Sequence, residues 1–189
     1  MSPRADLCIA SGLAGGLRKD YGVGAILVGK AVKSDDADQP IRSDAALVEK
    51  ARDCGAAVVD CFFTSKAVVN SVAEKLRLGT IADAVEMESF YVLSAARRAG
   101  IPAVTVRAIS DGAETDVPID FNQVIDSRGQ ISRAAALYQV AKAPNRMPQL
   151  IRFGLESGRA RRRLADFLDR YVKALALEGK QAVAQVEMN

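Results

Sequence analysis

The chain has 189 residues, 49% hydrophobic and 26% charged, a composition that suits one domain with a sizeable core and is too short for two full ones. Its 26 basic and 23 acidic residues nearly cancel, to a net +3, and aromatic residues make up only 5%, which argues against a nucleic-acid groove with stacking platforms. Histidine is absent, so Ser-His-Asp and Cys-His nucleophiles and the commonest zinc ligand sets are excluded, leaving carboxylates, Arg, Lys and backbone donors for any chemistry.

In chain order, DLCIAS (Asp6 to Ser11) predicts a short buried strand, broken by GLAGG (Gly12 to Gly16), and GAILVGKAV (Gly24 to Val32) predicts a second. KSDDADQPIRSD reads as a polar loop. Ser43 or Asp44 then caps a helix through about Cys54, and AAVVDCFF (Ala56 to Phe63) is a further strand. SKAVVNSVAEKLRLG (Ser65 to Gly79) has helical spacing in Val68, Val69, Val72, Ala73 and Leu76, with Gly79 as a C-terminal cap. DAVEM is short and strand-like. From Met87 the period becomes helical, with Met87, Phe90, Tyr91, Ser94 and Ala95 on one face, Arg97 and Arg98 in the last turn and Gly100 after it. PAVTVRAIS (Pro102 to Ser110) is apolar on both faces, as in a sheet covered by helices on each side, and the alternation of strand and helix implies βαβ units. Beyond Asp111 a long acidic loop is expected, then helix from Ile131. The last helix carries the stripe Leu164, Phe167, Leu168, Tyr171, Val172 and Leu175.

Cys8, Cys54 and Cys61 show no C-x-x-C spacing and sit among apolar residues, so reduced core thiols are expected. No apolar run approaches the roughly 20 residues that span a bilayer, and the first residues lack the apolar stretch of a signal peptide, so a cytoplasmic location is expected.

Glu86, Glu88 and Asp111 fall at strand ends, where open α/β sheets bind their ligands. Burying a carboxylate is unfavourable unless it is paired or hydrogen-bonded, so a polar-ligand site is one explanation. Another is structural: Glu88 capping the following helix, Asp111 capping a loop and Glu86 making a structural hydrogen bond.

VEMES (Val85 to Ser89), followed after one helix by IPAVTVRAISD (Ile101 to Asp111), resembles the signature of the nucleoside phosphorylase and nucleosidase superfamily, whose members cleave the bond between a nucleobase and ribose. SGLAGGL (Ser11 to Leu17) is similar to that family's glycine-rich turn, and TSKAVVNSVAEK (Thr64 to Lys75) resembles one wall of its base pocket. The resemblance implies a three-layer α/β/α fold with a central mixed, mostly parallel sheet. It also implies a purine nucleoside as substrate, no cofactor, and inorganic phosphate as co-substrate if phosphate rather than water attacks. Carried across, Glu88 holds the ribose hydroxyls, Met87 lies along the sugar and Asp111 is the acid facing the base. Val68 and Val69 line the base pocket, Ser110 and Arg107 belong to the strand that aims Asp111, and Gly12, Gly15 and Gly16 let backbone approach the sugar. Leu13 stands where several relatives have a small polar residue.

Breaking an N-ribosidic bond develops positive charge on ribose and negative charge on the departing base. Glu88 can steady the first and Asp111 can protonate the second. Lifting an aspartate from about 3.9 to near 7 takes roughly 4 kcal/mol of environment unfavourable to its anion, which Ile109 and a closed pocket would supply. Arg107 lies four strand residues from Asp111, about 13 Å between α-carbons, so direct pairing along the strand is not expected.

The spacing G-x-x-G-G departs from a dinucleotide fingerprint, and the Arg-rich run SGRARRRLADFLDRY reads first as a solvated helix face. The tail from Arg128 to Leu164 resembles the C-terminal extension of hopanoid-associated phosphorylases, which act on adenosylhopane, a lipid-linked adenine nucleoside. On that resemblance residues 1–142 form a partial phosphorylase-like domain and 143–189 a helical extension, whose basic amphipathic helix could touch a membrane. Family members begin with an earlier strand and glycine turn. This chain starts almost on the later strand, so a partial sheet with an exposed apolar edge, a homodimer and weak catalysis by the chain alone are expected, and a misassigned start codon would give the same picture. A methylthioadenosine/S-adenosylhomocysteine nucleosidase is the enzymatic alternative, and a non-catalytic nucleoside-binding remnant the alternative of another class.

Overall fold

A computed structural model describes residues 5–117 and 147–187, with side chains as far as residue 178. The elements are β1 (Cys8–Gly16), β2 (Ile26–Ser34), β3 (Ala37–Arg42), α1 (Ala45–Asp53), β4 (Ala57–Thr64), α2 (Val72–Leu78), β5 (Ala84–Glu86), α3 (Ser89–Arg98), β6 (Ala103–Asp111) and α4 (Met147–Glu187). The expected helix from Ile131 lies outside the described residues, as does most of the acidic loop.

The six strands form one mixed sheet in the order β3-β2-β4-β5-β1-β6. Pairs β1–β6, β2–β4 and β4–β5 are parallel, whereas β1–β5, β2–β3 and β2–β6 are antiparallel. Along one edge β2 serves two neighbours, its first half pairing with β6 (Ile26↔Ala108 to Gly29↔Thr105) and its second half with β3. The sheet therefore curls back on itself. Beside β1, β5 joins only at Gly15 and Gly16.

Helices cover both faces. On one, α1 and α4 bring Leu47, Val48, Ala51, Ala160, Leu164, Phe167 and Tyr171 against Val28, Val104, Val106 and Ala108. On the other, α3 packs Phe90, Leu93 and Ala96 against Leu27, Val32, Phe62 and Ile109. Every residue of β6 is buried, which explains its apolarity in both registers. Tyr171 seats α4 by donating its hydroxyl to Leu47 O at 2.7 Å and stacking on Phe167 at 5.5 Å, and burial pushes its ionisation up. Each fully buried side chain of this size contributes about 1.5–3 kcal/mol.

Five local expectations need correction. The glycines do not break β1, which runs through them, and none of Gly12, Gly15 and Gly16 has a positive φ. The polar stretch after Ser34 is a hairpin whose second strand, β3, buries Ile41 alone; an edge strand tolerates Pro40 and its charged neighbours because one side needs no partner. The helix expected from Ser65 begins only at Val72, because Ser71 is extended (φ −108°, ψ 147°) and caps it by accepting from Glu74 N–H; Lys75 and Leu78 are its buried residues and Leu76 is exposed. The inner face of α3 is Ser89, Phe90, Leu93 and Ala96, while Tyr91 is exposed, and Val172 of the last stripe is exposed as well. Asp44, by contrast, caps α1 through Leu47 N–H as expected.

Cys61 is buried and Cys8 and Cys54 half-buried, all as free thiols. Among the described residues no helix is long and apolar enough to cross a membrane, and no group of three or more His, Cys, Asp and Glu side chains could hold a metal ion.

Candidate active site

A cleft of about 400 Å³ opens where β1, β5 and β6 end, and its wall includes Gly12, Leu13, Gly15, Val68, Val69, Glu86, Met87, Glu88, Arg107, Ser110 and Asp111, while Gly16, expected beside the sugar, is not part of it. Val85, Val117 and Phe153 of α4 complete its apolar side.

Glu86 is the structural centre. Its side chain is 1% exposed; one oxygen accepts from Thr64, and the other from the backbone N–H groups of Glu88 (2.9 Å) and Ser89 (2.8 Å) and from Arg107 Nη2 (2.5 Å). A carboxylate on free N–H groups at a helix start satisfies orphan donors and complements the dipole. Arg107 also donates to Ser89 Oγ, which lies 2.7 Å from Thr105 Oγ1. With both oxygens engaged, Glu86 fits the structural hydrogen-bonding explanation better than a place in a polar-ligand site.

Glu88 occupies the N-cap position of α3, yet its side chain makes no capping hydrogen bond, so the capping explanation fails for it. That side chain is 71% exposed and stands 3.7 Å from Arg107 Nη1. The same nitrogen overhangs Gly12, where a Cβ would lie 2.3 Å from it. This close approach, rather than a turn, is what requires glycine there.

Asp111 reaches the cleft by a register irregularity. Strands β1 and β6 pair regularly to Ala14↔Ile109, and the next pair is Gly15↔Asp111, so Ser110 is a surplus residue in β6. A bulge reverses the alternation of side chains beyond it. Asp111 thus turns toward Val85 and α2 instead of toward the face that carries Arg107 and Ile109, and its Oδ2 would lie 3.3 Å from a Cβ at Gly15. Ser110 Oγ donates to Asp111 Oδ1 at 2.6 Å and also lies 3.2 Å from Ala14 O. On Oδ2 sits Lys75 Nζ at 2.5 Å.

Two sequence expectations meet this geometry differently. Arg107 and Asp111 do not pair, as the spacing required. The surroundings of Asp111 are ionic rather than apolar, because the ammonium of Lys75 lies behind it. Lys75 was missed since helical spacing placed Val72, Ala73 and Leu76, not Lys75, on the inner face; the S-x-x-E pattern of Ser71 and Glu74 was the signal that fixes the true start of α2. Thr64, Ser89 and Phe153 were not marked either.

Residues 4–142 match the family model described as the phosphorylase superfamily. A 5′-methylthioadenosine/S-adenosylhomocysteine nucleosidase of Shewanella halifaxensis is 26% identical over 151 residues, covering 67% of this chain. The chain spans 66% of that relative's length, about two thirds. Among solved structures, a nucleosidase of the same description from Helicobacter pylori, crystallised with butyl-thio-DADMe-Immucillin-A, superposes with a TM-score of 0.61 at 21% identity over 89% of this chain and 68% of its own. The native futalosine hydrolase of Helicobacter pylori gives 0.55 at 22% identity, over 73% and 69%. These likenesses show a common fold, and since the family match covers most of the chain, it belongs to the phosphorylase superfamily.

Proposed function

We propose that this chain cleaves the N-ribosidic bond of an adenine nucleoside and releases adenine. The observation that carries the reading is the pairing, in one cleft, of a buried carboxyl group at Asp111 with an exposed one at Glu88, flanked by the apolar Val68, Val69 and Met87. An apolar slot accepts the purine ring. Glu88, with most of its surface free, can accept from ribose hydroxyls and steady positive charge on the sugar. Asp111 delivers a proton to N7 as the C1′–N9 electron pair moves onto the base, and water or phosphate completes the sugar at C1′.

For the substrate, we favour a nucleoside with a long apolar 5′ substituent, of the adenosylhopane type. Phe153 at the cleft wall belongs to α4, whose exposed Met147, Ile151 and Leu155 recur every four residues alongside Arg159 and Arg162. Such a face suits a lipid-like chain or an anionic membrane surface. The second reading, 5′-methylthioadenosine/S-adenosylhomocysteine cleavage, draws support from the similarity to the Shewanella nucleosidase.

Adenine release from 5′-methylthioadenosine and from 5′-dodecylthioadenosine, each with and without phosphate, tests these readings. Asp111→Asn and Glu88→Gln should each lower kcat by about 100-fold or more. A faster reaction with the long-chain nucleoside favours the lipid-linked substrate, and dependence on phosphate identifies the attacking group. Binding without base release at high protein concentration would replace the enzyme with a nucleoside-binding protein.

A further inference from the structure

We propose that Lys75 is the proton reservoir of Asp111, a positioning residue that acts through that carboxyl group; the inference rests on the N-ribosidic cleavage proposed above. Lys75 is fully buried and lies behind the cleft wall. Its ammonium donates to Asp111 Oδ2 at 2.5 Å, Thr115 O at 2.7 Å and Gly112 O at 3.0 Å. An ammonium has three hydrogens and no acceptor, so each hydrogen has a partner. One ties the helix to the acid, and the others tie it to the turn that follows β6.

Both oxygens of Asp111 receive hydrogen bonds, from Ser110 and from Lys75. A proton bound for the departing base therefore has two sources within reach. Loss of the serine proton would leave a strongly basic alkoxide. Loss of a lysine proton leaves a neutral amine whose remaining N–H bonds still serve Gly112 and Thr115. In the proposed step an N–H bond of Lys75 breaks as an O–H bond forms on Asp111, and the carboxyl proton passes to N7 while the C1′–N9 electron pair moves onto the base. The attacking water or hydrogen phosphate brings one proton, which restores the ammonium. No oxidation state changes.

Charged groups on the neighbouring segments are held elsewhere. Asp116 accepts from Val72 N–H at the start of α2, and Glu114 pairs with Lys19. Glu74 and Arg77 are exposed on α2, and Glu86 and Arg107 are paired across the cleft, with Glu88 at 3.7 Å from the guanidinium. Lys75 is the cation on Asp111 among the described residues.

The test follows kcat and KM from pH 5 to 10 with whichever nucleoside releases base faster, in the wild type, Lys75→Met, Lys75→Arg and Asp111→Asn. Lys75→Met should lose about 100-fold in kcat at pH 8 with KM within about threefold, and its alkaline limb should move at least about one pH unit toward acid, because the proton that Lys75 keeps in the pair at higher pH is gone. Lys75→Arg keeps a charge and donors but does not release a proton, so it should stay at least about tenfold below the wild type. If Lys75→Met does not fold by circular dichroism, Lys75→Arg decides alone. A wild-type rate and pH profile in either lysine variant, with Asp111→Asn inactive, overturns the reservoir and leaves the cleavage reading standing. No base release by the wild type, or full release by Asp111→Asn, overturns both.

Discussion

Glu86 and Glu88 are two residues apart and live in different media, the first 1% exposed with every oxygen engaged, the second 71% exposed. Removing one partner of a buried ion pair leaves the other uncompensated, which costs about 3–5 kcal/mol. Glu86→Ala is therefore expected to lower unfolding free energy by about that amount, strands Arg107 and uncaps α3. Glu88→Gln should change stability by less than about 0.5 kcal/mol. Urea unfolding of both variants checks the contrast, and a small effect at Glu86 would contradict the hydrogen-bonding scheme. The sequence alone marked both acids but could not divide their duties. Capping the helix from Glu86 requires the chain to fold back over its own N–H groups, a feature of backbone path rather than of residue type.

At the level of elements, α2 is only seven residues long, Val72–Leu78, too short to persist without tertiary contacts and its cap. Ser71→Ala should cost about 1 kcal/mol, measured as a fall in the urea midpoint, and should loosen the segment that carries Lys75. Strands β2, β4, β5 and β6, the first part of β1 and helices α1 and α3 were legible, because β-branched runs, the Asp44 cap and Gly100 (φ +67°) after α3 are local signals. What local signals could not supply was context. Gly12 and Gly15 read as punctuation until the side chains of Arg107 and Asp111 are seen lying over them. Polar β3 reads as loop because an edge strand buries little. Eleven of the twelve marked site residues, all but Gly16, nevertheless converge on one cleft, since they cluster at strand ends that a βαβ order brings together.

For the molecule as a whole, stability should decline on the alkaline side. Burial pushes both the Cys61 thiol and the Tyr171 hydroxyl upward, and pairing with Asp60, Glu178 and Asp36 raises Lys30, Lys50 and Lys66. In each case the unfolded chain releases its proton first and binds fewer protons than the folded one. Stability is thus intact below the unfolded values and falls as pH climbs past about 8.5, where an unperturbed thiol begins to ionise. Denaturant midpoints at pH 7 and pH 10 should differ in that sense, the lower one at pH 10. The surplus Ser110 in β6 has a consequence for how opposite charges are distributed. Had the strand kept step with its neighbour, with Ser110 opposite Gly15, the acid at its tip would share the guanidinium's side of the sheet and turn away from its lysine. One additional link in the chain keeps them on separate circuits, each wired to its own partner.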